Sequence, residues 1–104
     1  MKTGVPQFVV LYRWRLHPGM EESFTNAWVL VSELLKERGS LGSRLHRGSD
    51  GLWYSYAQWP SAELRDRAAL VGAAYEAAVE QMKAAIVERL PEIVLEPMAD
   101  CMVS

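Results

Sequence analysis

Apolar and polar positions alternate at the start of the chain, with Phe8, Val10, Tyr12, Trp14 and Leu16 on one side of an extended segment. Val9, Leu11, Arg13 and Arg15 take the other side, and this period of two predicts a strand. The period then lengthens. Phe24, Trp28, Val31 and Leu35, with Ala27 and Leu34 beside them, recur at helical spacing. Between the two patterns lies Leu16-His17-Pro18-Gly19-Met20-Glu21-Glu22, a strand passing directly into a helix. Pro18 suits a first helical turn, Gly19 a sharp bend, and Glu21 and Glu22 the positive end of the helix dipole. Lys36, Arg38 and Gly39 supply a helix stop.

Alternation returns from Leu41 to Arg47 and again from Leu52 to Trp59, on either side of the turn-forming Gly48-Ser49-Asp50-Gly51, so the pair predicts a hairpin. After Pro60, Ser61 can cap a short helix carrying Leu64 and Ala68. Gly72 separates it from a longer helix with Tyr75, Val79, Met82 and Ile86 along one face and Pro91 as its stop. Ile93, Val94 and Leu95 then begin a last strand towards Val103, which Pro97 places at an edge or a bulge. The order β-α-β-β-α-β is that of an α+β, ferredoxin-like split β-α-β domain over residues 1–104, with helices on one face of a four-stranded antiparallel sheet. The other face keeps Val9, Leu11, Leu52, Tyr54 and Tyr56, too apolar for water, and a second copy is the simplest cover. The expected assembly is a two-fold homodimer with the strand from Ile93 onward crossing to the partner.

Composition narrows the functional classes. A net charge of −2 and a pI near 5.6 provide no basic face for nucleic acid, and Arg13, Arg15, Arg44, His46 and Arg47 amount at most to a local anion site. The lone Cys101 rules out an intrachain disulfide and fits a reducing cytoplasm, and Met1 to Pro6 is too broken for a secretory signal. No apolar run approaches the ~20 residues of a membrane span. His17, His46 and Cys101 stand apart in sequence, so no metal-binding spacing appears, and neither a phosphate loop nor a dinucleotide fingerprint is present.

Pro18-Gly19-Met20-Glu21-Glu22-Ser23-Phe24 followed by Trp28, then Gly39-Ser40-Leu41-Gly42-Ser43-Arg44-Leu45, then Tyr54-Ser55-Tyr56-Ala57-Gln58-Trp59 with Ser61-Ala62-Glu63-Leu64, resemble the antibiotic biosynthesis monooxygenase (ABM) family. The likeness runs from about Phe8 to Leu64 and implies a dimeric α+β barrel. It further implies a cofactor-independent monooxygenase that oxidises a small phenol or quinol with dioxygen, or a non-catalytic barrel that binds a small hydrophobic ligand or serves in stress response. In the family's haem-degrading branch an Asn on the first strand and a His on the second helix serve the haem. The matching positions here hold Tyr12 and, along the helix, Arg65, Asp66, Arg67 and Ala68, so no haem is expected, and Trp59 alone matches.

Four Trp in a chain of this length exceed what core filling commonly needs. Tyr12, Trp14, Trp28, Trp59 and Tyr75 are the candidate walls of a flat site for an aromatic ligand, with an aromatic core as the competing reading. Tyr12, Tyr75, Arg67 or His46 can supply a donor or base, and the sequence does not choose among them.

Overall fold

The computed structural model describes residues 8–68 and 72–101. Along the chain run β1 (Phe8–Leu16), α1 (Glu21–Lys36), β2 (Gly42–Arg47), β3 (Trp53–Trp59), α2 (Ala62–Arg67), α3 (Ala73–Ala85) and β4 (Ile86–Leu95). The strands form one antiparallel sheet in the order β2-β3-β1-β4, so β1 is central and β4 is an edge. This is the α+β, ferredoxin-like architecture the periodicities predict. No helix among the described residues is long and apolar enough to cross a membrane.

Residues directly opposite one another in an antiparallel pair project to the same side. Val10, Tyr12, Trp14 and Leu16 therefore share the helix-covered face with Trp53, Ser55, Ala57 and Trp59 of β3 and with Ser43 and Leu45 of β2. Phe24, one turn into α1, is wholly buried and meets Trp14 edge-on at 5.0 Å and Trp53 at 6.2 Å between ring centroids. Leu16 and Ala85 complete the buried core, with Trp28, Met82 and Ile86 packed against it.

The entry to α1 differs from expectation in one detail. Pro18 and Gly19 form a turn ahead of the helix rather than its first turn, because Gly19 adopts φ +89° and the helix begins at Glu21. The Glu21 carboxylate then accepts the Gly19 N–H at 2.9 Å and fastens the turn. As expected, Ser61 caps α2, its Oγ accepting the Leu64 N–H at 3.1 Å.

The end of the chain departs further. The last helix stops at Ala85, and Ile86 opens β4 with no loop between them, so Ile86 is a strand residue and Pro91 does not stop the helix. Adjacent Ile86 and Val87 are β-branched and favour the pleated backbone. The central strand supplies ready partners, with Leu16 opposite Ile86 and Arg15 opposite Glu88. Pro91 is tolerated because β4 is an edge and because the pairing is irregular there: Leu11 faces Ile93 while Arg13 faces Leu90. The Arg13 guanidinium donates to the Pro91 carbonyl oxygen at 2.9 Å. Ile93 to Leu95 pair with Val9 to Leu11 of their own chain instead of beginning a strand given to a partner, and β4 ends before Pro97. Val103, towards which the last strand is expected to run, lies outside the described residues.

At the hairpin, Gly48 donates to the Leu52 carbonyl at 2.7 Å, and the Asp50 carboxylate accepts from the Leu52 N–H at 2.9 Å and from the Tyr54 hydroxyl. The Tyr54 hydrogen bond, then that of Leu52, holds Asp50 below the usual carboxylate range, and the same Asp50 bond pushes Tyr54 up. A Cβ on Gly48 would run into the Asp50 carboxylate and the edge of the Tyr54 ring, so those side chains would have to shift and their hydrogen bond would be disturbed.

Two outcomes are expected. Phe24→Ala should lower the unfolding free energy by about 3–5 kcal/mol, whereas Leu30→Ala, on the exposed side of α1, should cost far less; comparable denaturant midpoints for the two variants would contradict the central place given to Phe24. The lowered Asp50 pKa stabilises the fold above the unfolded value of about 3.9 and is lost as pH falls through the folded value. The raised Tyr54 pKa stabilises it below about 10 and is lost as pH rises through the folded value. Carbon NMR titration should show the Asp50 midpoint moving upward in Tyr54→Phe; an unchanged midpoint would dismiss the coupling.

Candidate functional site

Tyr12 occupies the centre of β1 on the helix-covered face, directly opposite Ser55 of β3. Ser55 is 2% exposed, a hydroxyl residue in a line of large or apolar ones, Trp53, Ala57 and Trp59. A buried hydroxyl needs a partner. Trp28, one helical turn beyond Phe24, provides it by donating its indole Nε1–H to the Ser55 Oγ at 3.0 Å. The bond leaves the Ser55 hydroxyl hydrogen available to a further acceptor.

On the other side of Tyr12 the pairing of β1 with β4 skips a position, since Leu11 and Arg13 are paired and Tyr12 is not. The extra residues on β4 are Pro91 and Glu92. Arg65, from α2, reaches into this place. Its Nη1 donates to the Glu92 carboxylate at 2.7 Å and approaches the Tyr12 hydroxyl at 3.5 Å, and its Nε pairs with Asp66 at 3.2 Å. The guanidinium lies 5.4 Å from the Phe8 ring centroid, and Arg89 of β4 stands 5.9 Å from the ring centroid of Tyr12. Glu92 first, and Tyr12 after it, raise the Arg65 pKa against the opposing effect of burial, so the group is a permanent cation. Val10, between Phe8 and Tyr12 on β1, is wholly buried.

The five aromatic candidates separate. Tyr12 stands opposite Ser55 and is approached by Arg65, and Trp28 bonds the same Ser55. Trp14 is core: it is buried, stacked with Tyr12 at 6.1 Å and wedged by Phe24. Trp59 ends β3 opposite Phe8 and is 3% exposed, which places it beside the ring that faces Arg65. Tyr75 is half-buried on α3, and no hydrogen bond or ring contact joins it to the others among the described residues.

Of the polar candidates, His46 belongs to the opposite face, since it pairs with Tyr54, and cannot serve this place as base or ligand. Arg67 is exposed and turned to Glu63 at 3.8 Å. Arg65, two residues earlier, is the arginine that α2 brings to Tyr12 and Glu92. Ser55, Arg65, Arg89 and Glu92 escape a reading of the sequence. A small hydroxyl residue between two Tyr and two Trp is a signal for Ser55, whereas Glu92 reaches the site only through the irregular pairing. Among the described residues no three of His, Cys, Asp and Glu gather where a metal ion could be held.

Solved structures share this arrangement of elements. SnoaB, a cofactor-independent oxygenase from Streptomyces nogalater, superposes with a TM-score of 0.73 over 93% of this chain and 98% of its own, at 13% identity. A candidate antibiotic biosynthesis monooxygenase from Bordetella bronchiseptica gives 0.75 over 91% and 100%, at 14% identity. Another from Chloroflexus aurantiacus gives 0.74 over 93% and 98%, at 13% identity. The chain has their fold. No protein-family model matches the chain, and no curated protein matches it in sequence. The ABM-type architecture therefore extends past Leu64, where the sequence likeness fades, to the second helical segment and β4.

Proposed function

We propose that the protein is a cytoplasmic, cofactor-independent monooxygenase that oxidises a small aromatic phenol or quinol with dioxygen. The observation that carries this reading is the polar set of Tyr12, Ser55 and Arg65 inside an otherwise apolar sheet–helix layer. The fold shared with a cofactor-independent oxygenase supports it. Such a reaction asks little of a protein. An ionised phenol supplies the electrons, one oxygen atom enters the ring position and the other leaves as water. The protein binds the anion, keeps water away and handles protons. Arg65 supplies positive charge, Tyr12 and Ser55 supply hydroxyl groups for orientation, and Phe8, Trp28 and Trp59 supply flat apolar surface. The non-catalytic reading, a barrel that only binds a hydrophobic ligand, draws support from the close burial of Trp59.

We further propose a two-fold dimer through the uncovered sheet face. Leu11, Tyr56, Ile93 and Leu95 share that face, and Ile93 and Leu95 are each 38% exposed, whereas Val9, expected to need a cover there, is already buried within its own chain. Exposed apolar surface of this kind is stabilised by a second copy.

An oxygen electrode should record uptake when the protein is given a small phenol such as naphthol, with less uptake in Tyr12→Phe and in Trp59→Ala. Binding of the phenol without oxygen uptake would favour the non-catalytic reading. If Trp59→Ala loses about 3–5 kcal/mol of stability and no phenol ever binds, Trp59 is core and the site has no wall there. For the dimer, light scattering should give twice the chain mass, and Tyr56→Glu should shift the population towards monomer by burying a charge at the seam. A wild-type monomer at micromolar concentration would remove the assembly.

A further inference from the structure

The salt bridge between Arg65 and Glu92 lies beside Tyr12, and its two halves come from different elements, the short helix α2 and the edge strand β4. Arg65 is held on three sides, by the Phe8 ring, the Asp66 carboxylate and the Tyr12 hydroxyl. Its side chain is 24% exposed. Glu92 is held by less. It belongs to the edge strand, follows a proline, sits where the ladder with β1 is broken, and has a side chain 35% exposed. Bulges re-aim side chains, and this one turns a carboxylate onto a cation that the rest of the site keeps in place. Removing Glu92 from Arg65 therefore requires movement of one edge side chain and leaves the guanidinium where it is.

We infer that the Glu92 carboxylate marks the place of a ligand anion, and that Arg65 selects flat aromatic ligands bearing an ionised carboxyl group beside the phenol. The inference rests on the aromatic site proposed above and names the class of molecule it takes. A ligand carboxylate replaces Glu92 on the Arg65 fork, where charge-assisted N–H bonds are short and strong. Its ring lies along Phe8 and Tyr12, and its phenolic oxygen comes within reach of the Tyr12 and Ser55 hydroxyls. Arg89, 5.9 Å from the Tyr12 ring centroid, keeps the neighbourhood positive once Glu92 has moved. A neutral phenol gains none of this and leaves the internal pair intact. Glu92 is thereby a competitor, so its removal aids the true ligand.

The full-length protein is titrated calorimetrically at neutral pH with hydroxynaphthoate and with naphthol, its counterpart lacking the carboxyl group. Hydroxynaphthoate should bind about tenfold tighter or more. Arg65→Met, which keeps the aliphatic stem, should abolish that preference, so that the two probes bind with equal affinity. Glu92→Gln should strengthen hydroxynaphthoate binding and leave naphthol unaffected. Each variant is checked by its melting curve, and Glu92→Gln tests the idea independently should Arg65→Met fail to fold. Equal binding of the two probes by the wild type, or weaker hydroxynaphthoate binding in Glu92→Gln, overturns the assignment and leaves the aromatic site standing. If neither probe binds, the aromatic site and this inference fall together.

Discussion

Phe24 locked between Trp14 and Trp53 is the contact on which the remaining geometry hangs. It pins the first turns of α1 to the two central strands. Because α1 rises by a turn roughly every four residues, Trp28 is then delivered to the level of Ser55. The sheet beneath divides into two zones. Towards Leu16 and Ala85 it is a closed aromatic and aliphatic core; towards Phe8 and Tyr12 it carries hydroxyls and a guanidinium. Hydrophobic packing at one end supplies the stiffness that lets a polar arrangement persist at the other, where hydrogen bonds contribute little net stability of their own.

Much of this order is legible in the amino-acid pattern. The period-two run from Phe8, the helical spacing of Phe24 and Trp28, and the Gly48–Gly51 turn each predict an element that forms. The helix–strand boundary after Ala85 is not legible in the same way. Ile86 continues the apolar spacing of α3, and the vacancy beside β1, which no local pattern shows, lets the β-branched Ile86 and Val87 pair instead. Proline at 91 reads as a stop by local rules, but an edge strand with a bulge has no use for the missing N–H, so the rule does not apply.

The site was half visible for related reasons. Tyr12, Trp28 and Trp59 announce themselves by size and by their places on periodic faces. Arg65 and Glu92 are ordinary charged residues, 27 positions apart, and nothing short of the folded sheet brings them within 2.7 Å. His46, chemically the more suggestive residue, falls on the wrong face through the parity of β2. A one-residue difference in phase decides which side of a sheet a functional group serves.

That parity gives the direct junction of α3 with β4 a significance for the history of the chain. The His17 N–H is bonded to the Ala85 carbonyl at 2.8 Å, and Ile86 begins pairing at once, so no slack separates helix from strand. An added or lost residue there could not be absorbed in a loop. It would be passed down β4, turning Glu92 and Arg89 towards the opposite face and bringing Ile93 over Tyr12. Length is thus under constraint at this junction even where residue identity is free. Among descendants of this chain, substitutions at the exposed Ala84 and Val87 should accumulate far more readily than insertions or deletions around them.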